Sequence, residues 1–409
     1  MKSSPPDDVG TPLTGAWAPL RVRVFRTLWI AGVVSNVGTY MHNVGAGWAI
    51  SELTSSATKV SLLQTMWTAP GFLVALPAGA LADAVDRRKL LLITQYAAIG
   101  IAAILAAMAA TDRLGVASLL VLTFALSVAL TLAAPAFMSL TPELVEPSML
   151  TQAVGLNSVS MNLAQAAGPA LAGLVIAAVG PSAVFAVNAL SFLGIVIVVW
   201  SYRAPTTREP ATEPLLTAML TGVRYIASSR QLRTLVARVV VSLVVGASLV
   251  ALLPLIARRE LKVDAGGFGA LSAALGIGAV IAVSLLPRFR HRLSVNLLVV
   301  GAAVVWSVGA VLLATTHSLL VACAGIGLAG AANMTTLTSL FGMYQALLPA
   351  WVRGRGSSVA MLAVWLGTSL GSVGWGYLGS VVGIAQALLV AAAVNVVVGL
   401  VAAVTLRVE

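Results

Sequence analysis

The stretch Gly79-Ala-Leu-Ala-Asp83-Ala-Val-Asp86-Arg-Arg-Lys89 decides how the rest of the chain is read. It separates two long apolar segments. Small residues at Gly79, Ala80 and Ala82 let backbones approach closely, and Asp83 and Asp86 offer carboxylates at a helix end. Arg87, Arg88 and Lys89 form a cationic cluster that resists crossing a bilayer. On its residues alone the stretch is a tight, charged hinge between two hydrophobic spans. Three adjacent bases are also what a cytoplasmic loop needs merely to fix topology.

Outward from the hinge the chain is too apolar to be water-soluble. Of its 409 residues, 59% are hydrophobic and only 9% charged, more apolar surface than a soluble core of this size can bury. A helix needs about 20 apolar residues to cross roughly 30 Å of hydrocarbon, so the near-continuous apolar sequence predicts about a dozen spans with short loops.

The formal charge of +11 could suggest a nucleic-acid partner, but the bases punctuate the gaps between apolar runs instead of gathering on a module. No nucleic acid is expected. When even-numbered loops and both termini are placed on one side, only Lys59, Arg113, Arg258, Arg259 and Lys262 of the 24 Lys and Arg lie opposite. This asymmetry predicts cytoplasmic termini in a bacterial-type inner membrane. Residues 1–20 are polar, Arg21, Arg23 and Arg26 precede the first span, and that span is too long for a signal-peptide core, so it reads as an uncleaved helix. Cys323 is the sole cysteine, which excludes an intrachain disulfide or a cysteine-based metal cluster.

The first span, about Phe25 to Ile50, is bracketed by Trp29 and Trp48 and carries Ser35, Asn36, Thr39, Tyr40, His42 and Asn43. At 100° per residue Asn36, Tyr40 and Asn43 share a face, with Ser35, Thr39 and His42 on an adjoining one. Such a helix is expected to look onto protein or water, not lipid. Further spans are predicted at about Val60–Leu81, Leu90–Ala110, Leu114–Met138, Val154–Val179 and up to Trp200. Ser139 to Ala153, acidic and proline-containing, reads as an amphipathic piece on the surface. From Arg203 to Arg233 the composition shifts, with three prolines, two glutamates and five arginines, marking a linker. Six more spans follow, roughly at Leu235–Ile256, Gly267–Leu286, Ser294–Ala314, Leu319–Phe341, Ser357–Val381 and Ile384–Thr405. Ser158-Val-Ser-Met161 and Ser358-Val-Ala-Met361 form a weak internal echo between the halves. The domain boundaries are expected at 1–20 for a tail, 21–203 and 231–409 for two six-helix halves, and 204–230 for the linker.

Two strings imitate enzymes. Gly325-Ile-Gly327-Leu-Ala-Gly330 fits a dinucleotide fingerprint and Gly367-Thr-Ser369-Leu-Gly371 a nucleophile elbow. Both lie inside spans, without a preceding strand, an acidic ribose partner or a Ser-His-Asp set. Close helix packing explains them, and neither an enzyme nor a cofactor is expected. Ionisable groups in the spans are few. His42 is either a neutral, hydrogen-bonded histidine or a proton carrier, Glu52 at the end of the first span is either solvated or a second carrier, and Arg238 is expected to snorkel to the inner interface.

The hinge resembles the Gly-x-Leu-Ala-Asp-Arg-x-Gly-Arg-Arg signature of the major facilitator superfamily through Gly79, Leu81, Ala82, Asp83, Arg87, Arg88 and Lys89. It departs at Ala84, where a base is usual, and at Asp86, where a glycine is usual. The acidic variant at Asp86 resembles the transmembrane secretion effector branch, with its siderophore exporters and macrolide efflux proteins. Gly168-Pro169-Ala-Leu-Ala172-Gly173 is similar to the Gly-Pro-x-x-Gly-Gly antiporter motif, Ala172 being the departure. The resemblance implies an all-α membrane protein of twelve transmembrane helices in two pseudo-symmetric six-helix bundles. It implies that helices 1, 4, 7 and 10 surround a central cavity, bringing Asn36, Tyr40, Asn43, Asn333 and Thr336 to its wall as substrate ligands. Helices 2, 5, 8 and 11 would form the moving interface. Asp83 would latch onto the start of the eleventh span near Arg353 and Arg355, with Gly79, Asp86, Arg87, Arg88, Gly168 and Pro169 completing the gating set.

The expected function is export of a small amphipathic molecule, such as a drug, macrolide or siderophore, by proton antiport in a monomer within the lipid bilayer. Uptake of a nutrient by symport on the same fold is the alternative, and would call for an intramembrane acid or base dedicated to the substrate. A non-transporting membrane sensor is a third reading. Metal export is disfavoured because no histidine-rich tract accompanies Cys323.

Overall fold

The computed structural model describes residues 15–75, 77, 78, 81, 85–201, 215–290, 292–349 and 351–405. Gly79 and Asp83 of the hinge, and most of the linker between the halves, lie outside the described residues. The helices, in chain order, are α1 Arg23–Leu53, α2 Ala57–Leu73, α3 Arg87–Ala110, α4 Val116–Leu144, α5 Leu150–Val179, α6 Pro181–Ser201 and the shorter α7 Leu215–Ser228. Then come α8 Arg230–Leu255, α9 Ala265–Arg290, α10 Val295–Thr315, α11 Leu319–Leu347, α12 Arg353–Val382 and α13 Ile384–Thr405. Among the described residues, ten helices are long and apolar enough to cross a membrane on those grounds alone. Two long elements fall outside that set, α1 because of its polar load and α2 because only 17 residues of it are described as continuous helix. Both nevertheless pack into the first bundle beside helices that qualify.

Local chemistry sets the helix ends. Ser56, Asp86, Ser229 and Ser294 each accept a hydrogen bond from the backbone N–H three residues on, as N-caps do. α5 and α12 both stop at a glycine in the left-handed region, Gly180 at φ 94° and Gly383 at φ 96°, directly before the next helix. Only glycine adopts that conformation without strain. The same stop at the same place in each half agrees with the internal echo.

The expected surface piece at Ser139–Ala153 is not a separate element. α4 runs through Pro142 to Leu144, a single tight turn covers Pro147–Met149, and α5 begins at Leu150. The reason is apolar. Leu140, Leu144, Met149 and Ala153 are buried with Phe25, Leu28 and Leu91, while Glu143 and Glu146 point outward. α7 lies along the start of α12, where Gly222 leaves room for Arg355 and Tyr225 meets the Trp351 ring edge-on at 5.4 Å.

In the first half α1 packs on α5 and α6, and α3 on α4 and α6; in the second, α9 and α10 pack on α11, and α12 on α8. The halves meet mainly through α2 against α12 and α5 against α9. Small residues make this possible. A Cβ on Gly173 would lie 2.8 Å from the Gly269 Cα, and one on Gly376 or Gly71 would overlap Ser61 or Trp365 respectively. Hydroxyls add cross-links, Thr68 Oγ1 to Ser369 Oγ at 2.6 Å and Thr58 Oγ1 to Ser380 Oγ at 3.2 Å. Gly367 and Gly371 of the elbow-like string press instead on the Val240 and Val244 carbonyls of α8, and Gly325 and Gly330 on α10 and α9 backbone. Both enzyme-like strings are helix-packing surfaces.

Helix alternation gives the bundle two ends. One carries Glu52, Lys59 and Arg258 and is here the Glu52 face; the other carries Arg87, Arg230, Arg290 and Arg353 and is the basic face.

Candidate functional site

A cavity of about 310 Å³ opens between the halves, in the part of the molecule nearer the Glu52 face. Tyr40 and Asn43 of α1, Gln64 and Trp67 of α2 and Gln165 of α5 line one side; Phe268 and Ser272 of α9 and Pro254 of α8 line the other. Gly168 is what seats Tyr40. A side chain there would lie 2.6 Å from the Tyr40 Cβ, so α5 can close onto α1 only with a glycine at that position. The next residue, Pro169, lines the cavity, and its carbonyl lies 3.0 Å from where a Gly269 side chain would begin. The Gly168-Pro169 element therefore stands where α1, α5 and α9 converge.

Above the cavity, side chains of the two halves meet at the Glu52 face. Glu52 at the end of α1 pairs with Arg258 beyond α8 at 3.8 Å, and the same guanidinium lies over the Trp48 ring, 5.8 Å from its centroid. Trp48 in turn meets Phe268 of α9 at 6.0 Å. Glu52 is thus one side of an exposed ion pair between the halves.

Of the residues expected at the cavity wall, the structure brings Tyr40 and Asn43 there and sends the others elsewhere. Asn36 donates to Ser160 Oγ of α5 at 3.0 Å, tying helices within the first half. Asn333 and Thr336 line a second, smaller cavity of about 30 Å³ inside the second half, together with Arg238, Ser242 and Asn395. Arg238 does not snorkel: only 9% of it is exposed, and it donates to Asn296 Oδ1 at 3.2 Å. His42 is fully buried, its ring 4.9 Å from Phe185 and 6.4 Å from the cavity residue Trp67, and neither ring nitrogen has a hydrogen-bond partner. Of the two readings of His42, the hydrogen-bonded one is not what the structure holds. Gln64, Trp67, Gln165 and Ser272 were missed. Their signal was two glutamines and a tryptophan within otherwise apolar spans that meet between the halves.

The described charged residues of the gating set serve their own half. Asp86 caps α3 through Lys89 N at 3.0 Å, Arg87 pairs with Glu143 of α4, and Arg88 donates to the Val199 and Trp200 carbonyls at 3.1 and 2.6 Å. Arg88 thereby supplies cation and donors to the end of α6, where carbonyls lack intrahelical partners. Arg353 reaches the Leu348 carbonyl at 3.5 Å, and Arg355 packs against Gly222 of α7.

Two helical halves joined through glycine-lined pairs of helices around a shared cavity define a membrane transporter of the major facilitator type. The chain belongs to the transmembrane secretion effector family, whose sequence profile matches residues 14–409. It is 21% identical over 253 residues to the staphyloferrin A transporter of Staphylococcus aureus, covering 62% of this chain and 64% of that one. It is 29% identical over 200 residues to the MFS-type transporter YfiS of Bacillus subtilis, covering 48% and 47%. The matched regions thus span less than two thirds of either relative. A bacterial homologue of the lysosomal transporter Spinster, solved inward-facing and unoccupied, superposes with a TM-score of 0.75 at 15% identity, covering 97% of this chain and 96% of that one. The nucleoside transporter NupG superposes at 0.75 with 13% identity, covering 95% and 100%. At these identities the likeness is one of fold.

Proposed function

We propose that this protein exports a small amphipathic molecule across the cytoplasmic membrane by proton antiport, through alternating access between two six-helix bundles. The observation that carries the proposal is the cavity between the halves, walled by aromatic rings and two glutamine amides and bridged at the Glu52 face by the Glu52–Arg258–Trp48 contact. Its volume is at the lower end of the range for small-molecule sites, about 300–1,000 Å³. With the basic face assigned to the cytoplasm by the positive-inside rule, contact between the halves at the Glu52 face supports an inward-facing reading. Substrate enters from the cytoplasm, contacts Tyr40, Asn43 and Trp67, and leaves when the α2–α12 and α5–α9 contacts part. Asp83 latches the cytoplasmic side in the opposite state, and His42, buried behind Trp67, carries the proton.

Reconstituted protein tested with dyes, macrolides and siderophores should move at least one of them outward against proton influx, and a protonophore should stop it. Proton flux that no compound alters would instead sink the proposal.

A further inference from the structure

The second cavity carries chemistry that the first does not. Arg238 stays protonated at any accessible pH, and a cation inside a span marks a ligand path or a partner charge. Beside it the polar side chains of Ser242, Asn333 and Thr336, neutral and able to donate, line the same space, and among the described residues no side-chain hydrogen bond involves any of the three. Asn395 is already engaged, donating to the Ala303 carbonyl at 3.0 Å and to Ser307 Oγ at 3.4 Å. A fixed positive charge with hydroxyl and amide donors beside it is the complement of a planar anion, and the guanidinium fork suits a carboxylate in particular.

α8 contributes to the walls of both cavities. Arg238, Ser242, Gly246, Val250 and Pro254 recur at every fourth residue, the spacing that forms a continuous ridge along a helix. Ser242 lines the small cavity, Val250 and Pro254 line the large one, and Asn333 Oδ1 lies 3.4 Å from where a Gly246 side chain would start. From Ser242 to Val250 is about 12 Å at 1.5 Å per residue, within the reach of one elongated molecule.

We propose that Arg238, with Ser242, Asn333 and Thr336, forms an anion subsite that receives the carboxylate of the transported molecule while its apolar body occupies the cavity between the halves. The inference rests on the export reading and narrows its substrate class from neutral or mixed compounds to amphipathic carboxylates. A space of about 30 Å³ admits one small group and not a whole substrate.

The test reads binding, not transport. Full-length protein in detergent is titrated with sodium acetate, with acetamide as its uncharged isostere, and separately with chloride, at ionic strength held by a bulky buffer anion. The readouts are tryptophan emission, since Trp306 forms part of the wall, and the melting temperature. Acetate should give a saturable change that acetamide does not. Arg238→Gln should weaken the midpoint at least ten-fold, and Arg238→Lys should retain part of the response. Asn333→Leu, which leaves the charge in place, should weaken it several-fold and keeps the proposal exposed to refutation if the arginine variants do not fold. Equal responses to acetate and acetamide, a wild-type response in Arg238→Gln, or a response to chloride alone would overturn it. Acetate binding in a protein that moves nothing would refute the export reading and leave the subsite; export of neutral dyes without an acetate response would do the reverse.

Discussion

At the scale of single residues, His42 is the group whose chemistry least suits its surroundings. A buried polar atom without a partner costs about 1–3 kcal/mol, and both nitrogens of this imidazole are in that position, beside Phe185 and Trp67. His42→Phe should therefore leave the melting temperature in detergent equal or higher. If His42 carries the proton, the same variant should lose the pH dependence of transport, read as flux against an imposed pH gradient. A wild-type pH profile in His42→Phe would transfer the role to Glu52, whose pairing with Arg258 protonation would release. Asp83 is argued from the hinge sequence alone. Asp83→Asn should abolish transport while membrane levels stay normal, and a variant that transports at the wild-type rate would remove the latch from the mechanism.

At the scale of elements, the glycines on the facing helices set what can move. Gly173 and Gly269 bring α5 and α9 into backbone contact, and neither side has a flexible side chain that could give way. Gly269→Val should then prevent closure at the Glu52 face and hold the cavity open there. In a Cys323→Ser background, a cysteine placed at Gln64 should become labelled by an impermeant thiol reagent from that side, with transport lost; unchanged protection would show that the α5–α9 contact does not govern closure. The same elements show what the sequence could disclose. Hydropathy was enough to anticipate the order of the helices, because that depends on burial, while the family resemblance named the helices that meet between the halves. Which face a polar side chain takes was less legible. Asn36, Tyr40 and Asn43 lie within about two turns of α1, yet Asn36 is drawn off by Ser160 while the other two reach the cavity. Arg238 could not be placed either, since snorkelling and burial differ by only the partners that α10, α11 and α13 bring to it.

At the scale of the whole molecule, the energetics of export depend on how many charges cross per cycle, and that number links both proposals. One elementary charge moving through 100 mV is worth about 2.3 kcal/mol, close to a fifty-fold concentration ratio. Exchange of one inward proton for one neutral molecule moves a single charge. Exchange for a molecule bearing a carboxylate moves two, because an anion leaving is equivalent to a cation entering. The attainable ratio then rises to about 2,000-fold at the same potential. A wild-type protein using Arg238 as its anion subsite should accordingly show the steeper dependence when a carboxylate substrate is followed in liposomes clamped at a series of potentials. The methyl ester of the same compound, if it is carried at all, should show the shallower one, and Arg238→Gln should reduce the preference of acid over ester at least ten-fold. A dependence of one charge for both compounds would mean that the carboxylate crosses protonated. In that case each neutral molecule still exchanges for one inward proton carried by the protein, and His42→Phe should abolish the flux of acid and ester alike.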